Sequence, residues 1–141
     1  MPSLREQIRN NLVALVSLTV AVTALVYATW RNEQTEENRN LRAAGFELLT
    51  EIGSLQQVVF YAHYGEGDAR GDPRMGWADV LTITDLAAMM PPEVAGHAAN
   101  LRERWGEDWS GLGHDGEAHR RIDESIDRLR QSTLAALGRL D

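Results

Sequence analysis

The side chains best suited to chemistry in this chain are its four histidines. His114 and His119 lie in the segment His-Asp-Gly-Glu-Ala-His, whose spacing differs from the His-Glu-x-x-His pattern of zinc sites. His63 lies in the aromatic segment Phe-Tyr-Ala-His-Tyr, and helical bundles can bind haem through such a histidine with a methionine opposite. We interpret the histidines as ordinary core or surface residues and expect no cofactor and no metal. A haem- or metal-binding bundle remains a minor alternative.

Acidic residues gather in a loop at residues 65–73, where Glu66, Asp68 and Asp72 could suggest calcium. The loop is shorter than an EF-hand loop and its spacing differs. The absence of cysteine excludes disulfides, thiolate nucleophiles and cysteine-ligated zinc. The chain also lacks a phosphate-binding loop and a nucleophile elbow. We therefore expect a protein without enzymatic activity.

The charge of the chain argues against a nucleic-acid partner. The net charge is −7, and from residue 31 onward there are 12 arginines against 20 acidic residues. A nucleic-acid-binding domain needs a basic patch, which this region lacks. All basic residues are arginine, a bias typical of GC-rich bacterial genomes.

An uncharged, mainly apolar stretch covers residues 10–30. About 20 helical residues cross a hydrocarbon core of about 30 Å. Tyr27 and Trp30 lie at the end of the stretch, where aromatic rings favour the membrane interface. The predicted organisation is a short N-terminal tail at residues 1–10, a transmembrane helix at residues 11–30 and a soluble helical bundle at residues 31–141.

A cleaved signal peptide is the competing interpretation, because Val-Tyr-Ala permits cleavage after Ala28. The apolar run is longer than the usual ~7–15 residues of a signal sequence, so we predict an uncleaved signal-anchor. Arg5 and Arg9 precede the run and three arginines follow it by residue 42, which leaves the orientation nearly balanced. Since a short N-terminal tail usually stays cytoplasmic, we predict a single-pass protein of the bacterial inner membrane with a periplasmic bundle.

Small residues recur within the apolar stretch at spacings of three and four, which places them on one helix face. Such stripes let helices approach closely in lipid. The alternative is accidental spacing in an alanine-rich helix. The predicted packing face consists of Ala14, Ser17, Ala21, Ala24 and Ala28.

The region after the apolar stretch has the apolar periodicity of amphipathic helices. A heptad pattern typical of a coiled coil covers residues 36–64, and no proline separates it from the apolar run. Its predicted core face is Leu41, Gly45, Leu48, Ile52, Leu55, Val59 and Ala62, widened by Phe46, Leu49 and Phe60.

Three further helices are predicted. Asp72 and Pro73 predict the start of the next helix, which runs to about residue 90, although residues 80–84 could instead form a strand. Its expected face is Trp77, Leu81, Thr84 and Ala88, with Val80, Ile83 and Ala87 beside it. Pro92 predicts the start of a third helix, and Asp115 caps a fourth that runs to residue 140. The predicted fold class is therefore all-α: a transmembrane helix that continues into an antiparallel four-helix bundle.

Large apolar residues in the bundle are candidates for partner contacts, with core packing as the simpler explanation for the tryptophans. Tryptophan dominates the energetics of many protein interfaces. The candidates are Trp105, Trp109, Met89 and Met90.

Residues 11–42 (NLVALVSLTVAVTALVYATWRNEQTEENRNLR) resemble uncharacterised short single-pass proteins of proteobacteria, which combine a similar apolar run and Thr-Trp-Arg-Asn-Glu junction with a helical tail. The resemblance implies a retained anchor and a bacterial source, and it implies no activity.

Two functions fit these features. The first is a structural, accessory or scaffold protein of the inner membrane that acts through helix–helix contacts, as a homo-oligomer or a membrane-complex subunit. The second is an extracytoplasmic ligand-sensing bundle, which would signal through a partner because the ten residues before the apolar run carry no signalling module.

Overall fold

The computed structural model describes the backbone of residues 4–140 and the side chains of residues 11–140. Within the described backbone all regular structure is helical and no strand occurs. The α-helices are α1 (Leu4–Tyr64), α2 (Gly76–Ala87), α3 (Pro92–Asp108) and α4 (Gly116–Gly138), and short 3₁₀ helices occupy Ala69–Gly71 and Trp109–Gly111. The all-α prediction is confirmed, and the alternative of a strand at residues 80–84 is wrong.

The chain divides into two compact units, Met1–Arg39 and Asn40–Asp141. The described part of the first unit belongs entirely to α1, and its residues 11–39 are all exposed. Four threonine hydroxyls in this unit donate to the carbonyl four residues earlier: Thr19 to Leu15 at 2.8 Å, Thr23 to Thr19 at 2.8 Å, Thr29 to Leu25 at 2.9 Å and Thr35 to Arg31 at 2.9 Å. The helix therefore satisfies these polar groups within its own backbone.

The second unit has a single apolar core, to which the C-terminal part of α1 contributes one face. The heptad positions predicted to face the core do so: Gly45, Leu48, Ile52, Leu55 and Val59 are buried, and Leu41 and Ala62 are partly buried against them. Phe46 and Phe60, predicted to widen this face, are instead exposed. Leu49, the third residue predicted to widen this face, is partly buried against the core, and Ala44 and Val58 are buried beside it.

Helix α2 differs from its prediction in both its start and its orientation. Asp72 accepts the Arg74 backbone N–H at 3.0 Å in a turn that precedes the helix, and α2 begins only at Gly76. Its buried face is Gly76, Val80, Ile83 and Ala87, one residue out of phase with the predicted face, while Leu81 is exposed. The Trp105 ring packs directly on Gly76, where any side chain would collide with it, and this contact sets the rotation of α2.

The starts of α3 and α4 follow the sequence signals. Pro92 occupies the first turn of α3, where a missing N–H costs nothing. Asp115 caps α4 by accepting the Glu117 backbone N–H at 2.9 Å. The two helices are further joined by the Arg121 guanidinium, which donates to the Asp108 carboxylate at 2.6 and 2.8 Å.

Candidate functional site

The predicted membrane packing face lies on α1, within the first unit. All five of its residues are helical and exposed, and their spacing places them along one side of the helix. The stretch at residues 11–30 has only four alanines, and every one of them belongs to this stripe. The other sides of the same stretch carry larger apolar side chains.

One helix within the described residues, α1 over Asn11–Tyr64, contains a segment long and apolar enough to cross a membrane. This segment is not covered by any other part of the described structure. Length and composition make it compatible with a membrane anchor.

The four predicted partner-contact residues have different environments. Trp105 is completely buried and Met90 is 6% exposed, so both side chains pack in the core. Trp109 is partly buried against the core, whereas Met89 is 57% exposed. Of the four, only Met89 presents most of its side chain to the surroundings.

Two histidines that the sequence treated separately lie together in the second unit. His63 is in the last turn of α1 and His119 is in the first turn of α4. Their rings stack with centroids 4.2 Å apart and planes inclined by 15°. Tyr64 packs edge-on against both rings, at 4.6 Å from His63 and 6.2 Å from His119. We call His63 and His119 the histidine pair.

Both rings of the histidine pair hold a buried nitrogen. Among the residues that the structure describes, none forms a hydrogen bond with Nδ1 of His63 or of His119. Burial and the neighbouring His63 lower the pKa of His119 below its usual value of 6.5, and the Asp123 carboxylate opposes this effect. That carboxylate also accepts a hydrogen bond from Gln56 Nε2 of α1 at 2.7 Å.

Sequence reasoning missed this pair because the partners belong to distant segments with no shared motif. The sequence offered one indirect indication of the pair. His63 lies at the end of α1 and His119 lies at the beginning of α4, so each is next to a loop. Within the described residues no three potential ligands of the His, Cys, Asp or Glu type gather as a metal site would require.

A groove lies between α3 and α4, with a volume of about 320 Å³. It is lined by Glu93, His97, Arg128, Gln131, Ser132 and Ala135. The Ser132 side chain is buried and its Oγ has no hydrogen-bond partner among the described residues. The other two hydroxyls of α4 do have partners. Ser125 and Thr133 each donate a hydrogen bond to the carbonyl four residues earlier.

Two of the three acidic side chains in the loop, Asp68 and Asp72, pair with arginines. Asp68 accepts from the Arg70 guanidinium at 2.6 Å, and this contact lowers the pKa of Asp68 to about 2. Arg70 also donates to the Tyr61 hydroxyl at 2.9 Å. Asp72 pairs with Arg74 at 2.7 Å. These ion pairs engage the oxygens that a calcium ion would need.

No protein family model matches the chain, and neither the curated proteins nor the solved structures contain a significant match. The resemblance of residues 11–42 to short proteobacterial membrane proteins therefore stays a prediction.

Proposed function

We propose that this chain is a non-enzymatic, single-pass inner-membrane protein that serves as a structural, accessory or scaffold partner through helix–helix contacts. The observation that carries the proposal is the apolar part of α1, which is exposed at every residue from 11 to 30. Leaving so many large apolar side chains in water is unfavourable, at about 25 cal/mol for each Å² of apolar surface. A lipid bilayer or a partner helix would cover them.

The backbone pairing of the threonine hydroxyls in this segment is compatible with a lipid environment, and exposed threonines outside the segment, such as Thr35 and Thr82, form the same bond. In a bilayer a polar group that lacks a partner costs several kcal/mol, so hydroxyls must bond within the helix. Thr19, Thr23 and Thr29 all do so. The small-residue stripe then supplies the face on which a second membrane helix could approach the backbone closely.

In this proposal the second unit is an antiparallel four-helix bundle carried by the anchor. Contacts between α1 and α4 support the arrangement, because their order reverses along the two helices. Arg42 donates to the Leu140 carbonyl at 2.7 Å, Gln56 pairs with Asp123, and His63 stacks on His119. As the residue number increases along α1, the residue number of its partner in or just after α4 decreases, as in two antiparallel helices.

The experiment is crosslinking in native membranes with photoreactive or carboxylate-directed reagents, since the chain has no lysine. Ala21→Leu and Ala24→Leu would place bulky side chains on the stripe. Overpacking an interface costs about 1–3 kcal/mol, which weakens association about tenfold or more. We expect crosslinked homo-oligomers or complexes from the native chain and a strong loss of them from both variants.

Val22→Leu and Val26→Leu are the matched controls, because they enlarge side chains on the other side of the same helix. They should crosslink as the native chain does. Equal crosslinking by stripe and control variants would refute the stripe as the contact face. Recovery of the native chain as a monomer without partners from gentle detergent would contradict the scaffold function itself.

We further propose that the bundle is periplasmic. Arg5 and Arg9 ahead of the apolar run favour retention of that side in the cytoplasm, and Arg31, Arg39 and Arg42 after the run act in the opposite direction. A C-terminal alkaline phosphatase fusion is active only outside the cytoplasm, and a C-terminal green fluorescent protein fusion is fluorescent only inside it. If the green fluorescent protein fusion is fluorescent and the phosphatase fusion is inactive, the bundle lies in the cytoplasm and the proposed orientation is wrong.

The groove between α3 and α4 favours one alternative, an extracytoplasmic ligand-sensing bundle. Glu93 and Arg128 have opposite charges and form exposed ion pairs with Arg139 and Glu124, which a ligand would have to replace. Together with the Ser132 hydroxyl, which has no hydrogen-bond partner among the described residues, this set suits a small zwitterion such as an amino acid. A screen of free amino acids should then raise the Tm of the native chain but not of Ser132→Ala. If none of the amino acids raises the Tm of the native chain, this alternative is wrong.

A further inference from the structure

We propose that the histidine pair is an acid-responsive contact, which joins the end of α1 to the beginning of α4 while both rings are neutral and releases these helix ends when the rings take up protons. The inference goes beyond the proposed scaffold function and does not depend on it. It rests on the stacking of His63 and His119 and on the burial of their Nδ1 atoms.

The stacked geometry suits neutral rings and opposes doubly charged ones. Two imidazolium rings with centroids 4.2 Å apart would place two positive charges in direct contact. Like charges at such a distance repel, and partial burial weakens the screening by water. One ring at most can therefore be charged without loss of the stack.

The buried nitrogens add a second penalty. A charged imidazole carries a proton on both nitrogens, so Nδ1 must then donate a hydrogen bond. The described structure offers no acceptor to Nδ1 of either ring. A buried donor without a partner costs about 1–3 kcal/mol unless the ring moves to find one.

The surrounding charges make the two rings unequal. His119 lies at the N-terminus of α4, where the helix dipole disfavours a positive charge, and His63 lies at the C-terminus of α1, where the dipole favours one. The Asp123 carboxylate of α4 favours a proton on His119, but it already accepts a hydrogen bond from Gln56. We expect the protonation of His119 to be accompanied by loss of the contact.

The direction of the pH effect follows from the lowered pKa of His119. Below pH 6.5 the unfolded chain binds a proton at this residue that the folded chain does not, so stability falls as the pH falls. The contribution of neutral His119 to the free energy of unfolding is fully present above pH 6.5. It decreases as the pH falls from 6.5 to the lower pKa that His119 has in the folded chain, and it does not change further below that pKa.

The test is thermal unfolding of the full chain in a mild non-ionic detergent between pH 7.5 and pH 5.0, followed by tryptophan fluorescence. His63→Phe and His119→Phe keep an aromatic ring in the stack but cannot be protonated. We expect the native chain to lose Tm over this range and both variants to lose much less.

His114→Phe is the matched control, because His114 is exposed in the connection that precedes α4. It should retain the full pH dependence of the native chain. If the native chain and the pair variants lose Tm equally, the proposal is wrong.

A measurement on the native chain keeps the test decisive if a variant does not fold. Histidine ring proton signals in NMR spectra should show one of the two paired residues titrating clearly below pH 6.5. Hydrogen exchange at residues 60–64 and 113–119 should accelerate over the same pH range. Ordinary titration of all four histidines, with unchanged exchange, would overturn the proposal.

Discussion

The ion pair between Asp108 and Arg121 should stabilise the packing of α4 on α3. Asp108 is the last residue of α3, and Arg121 lies near the beginning of α4, across the 3₁₀ connection. The guanidinium contacts the carboxylate through two parallel hydrogen bonds, Nη2 to Oδ1 at 2.6 Å and Nε to Oδ2 at 2.8 Å. Such bidentate pairs are stronger than ordinary hydrogen bonds and constrain the geometry of both side chains.

The cost of removing each partner should differ because their exposure differs. The Asp108 side chain is 9% exposed and the Arg121 side chain is 37% exposed. Arg121→Ala leaves a nearly buried carboxylate without its main partner. Removing one partner from a fully buried pair costs about 3–5 kcal/mol, and the partial exposure here reduces the expected loss to about 2–3 kcal/mol. Asp108→Ala leaves a guanidinium that can reach water, so we expect about 1–2 kcal/mol.

The assay is urea unfolding of the full chain in a mild non-ionic detergent, followed by tryptophan fluorescence. The double variant should be less destabilised than the sum of the single variants, with a coupling energy of about 1–2 kcal/mol. Arg120→Ala is the matched control on the next residue, because Arg120 forms only exposed pairs with Glu117 and Glu124. Its expected cost is below about 1 kcal/mol.

The same pair predicts an acid dependence of stability. Arg121 lowers the pKa of Asp108 below its usual value of 3.8, so the contribution of the pair is present above that pH. It is lost as the pH falls below 3.8, since the unfolded chain then binds a proton that the folded chain does not. The difference between the native chain and Arg121→Ala should therefore shrink toward pH 2. Additive single variants, or an Arg121→Ala loss no larger than that of Arg120→Ala, would refute this reasoning.

Three further predictions concern packing and capping, and all use the same unfolding assay. Ile83→Ala should cost about 2–4 kcal/mol because its side chain is completely buried, whereas Leu81→Ala should cost less than about 1 kcal/mol; similar losses would contradict the orientation of α2. Asp115→Ala should cost about 1 kcal/mol through loss of the cap on α4, and Asp115→Asn should retain most of that stability. Gly76→Ala should cost about 1–3 kcal/mol because the added methyl group meets the Trp105 ring, and a neutral result would show that the ring can move freely.

The starts of α3 and α4 and the core face of α1 were predictable from local chemistry. The heptad positions of α1 carry large apolar residues at regular spacing, and both Pro92 and Asp115 act only on the residues beside them. Such signals need no knowledge of distant segments. The starts of α3 and α4 could be predicted for this reason.

The orientation of α2 could not be predicted in this way. Two faces of the helix have the same apolar spacing, and the sequence favoured the one that contains Trp77. The structure buries the neighbouring face because Gly76 leaves space for the Trp105 ring of α3. A glycine contributes nothing to an apolar pattern, yet here its lack of a side chain decides which face enters the core.

The histidine pair, like the orientation of α2, depends on contacts between distant segments of the chain. His63 and His119 carry no shared motif, and each alone fits an ordinary position at a helix end. Their effect on each other arises only after α1 and α4 are brought together, as the Gln56–Asp123 hydrogen bond between the same helices shows. The pair then combines a lowered pKa at His119 with two buried nitrogens that have no hydrogen-bond partner in the described part of the chain. A property that depends on the distance between two rings belongs to the fold, so acid sensitivity in this protein has to be sought where helix ends meet rather than in a sequence motif.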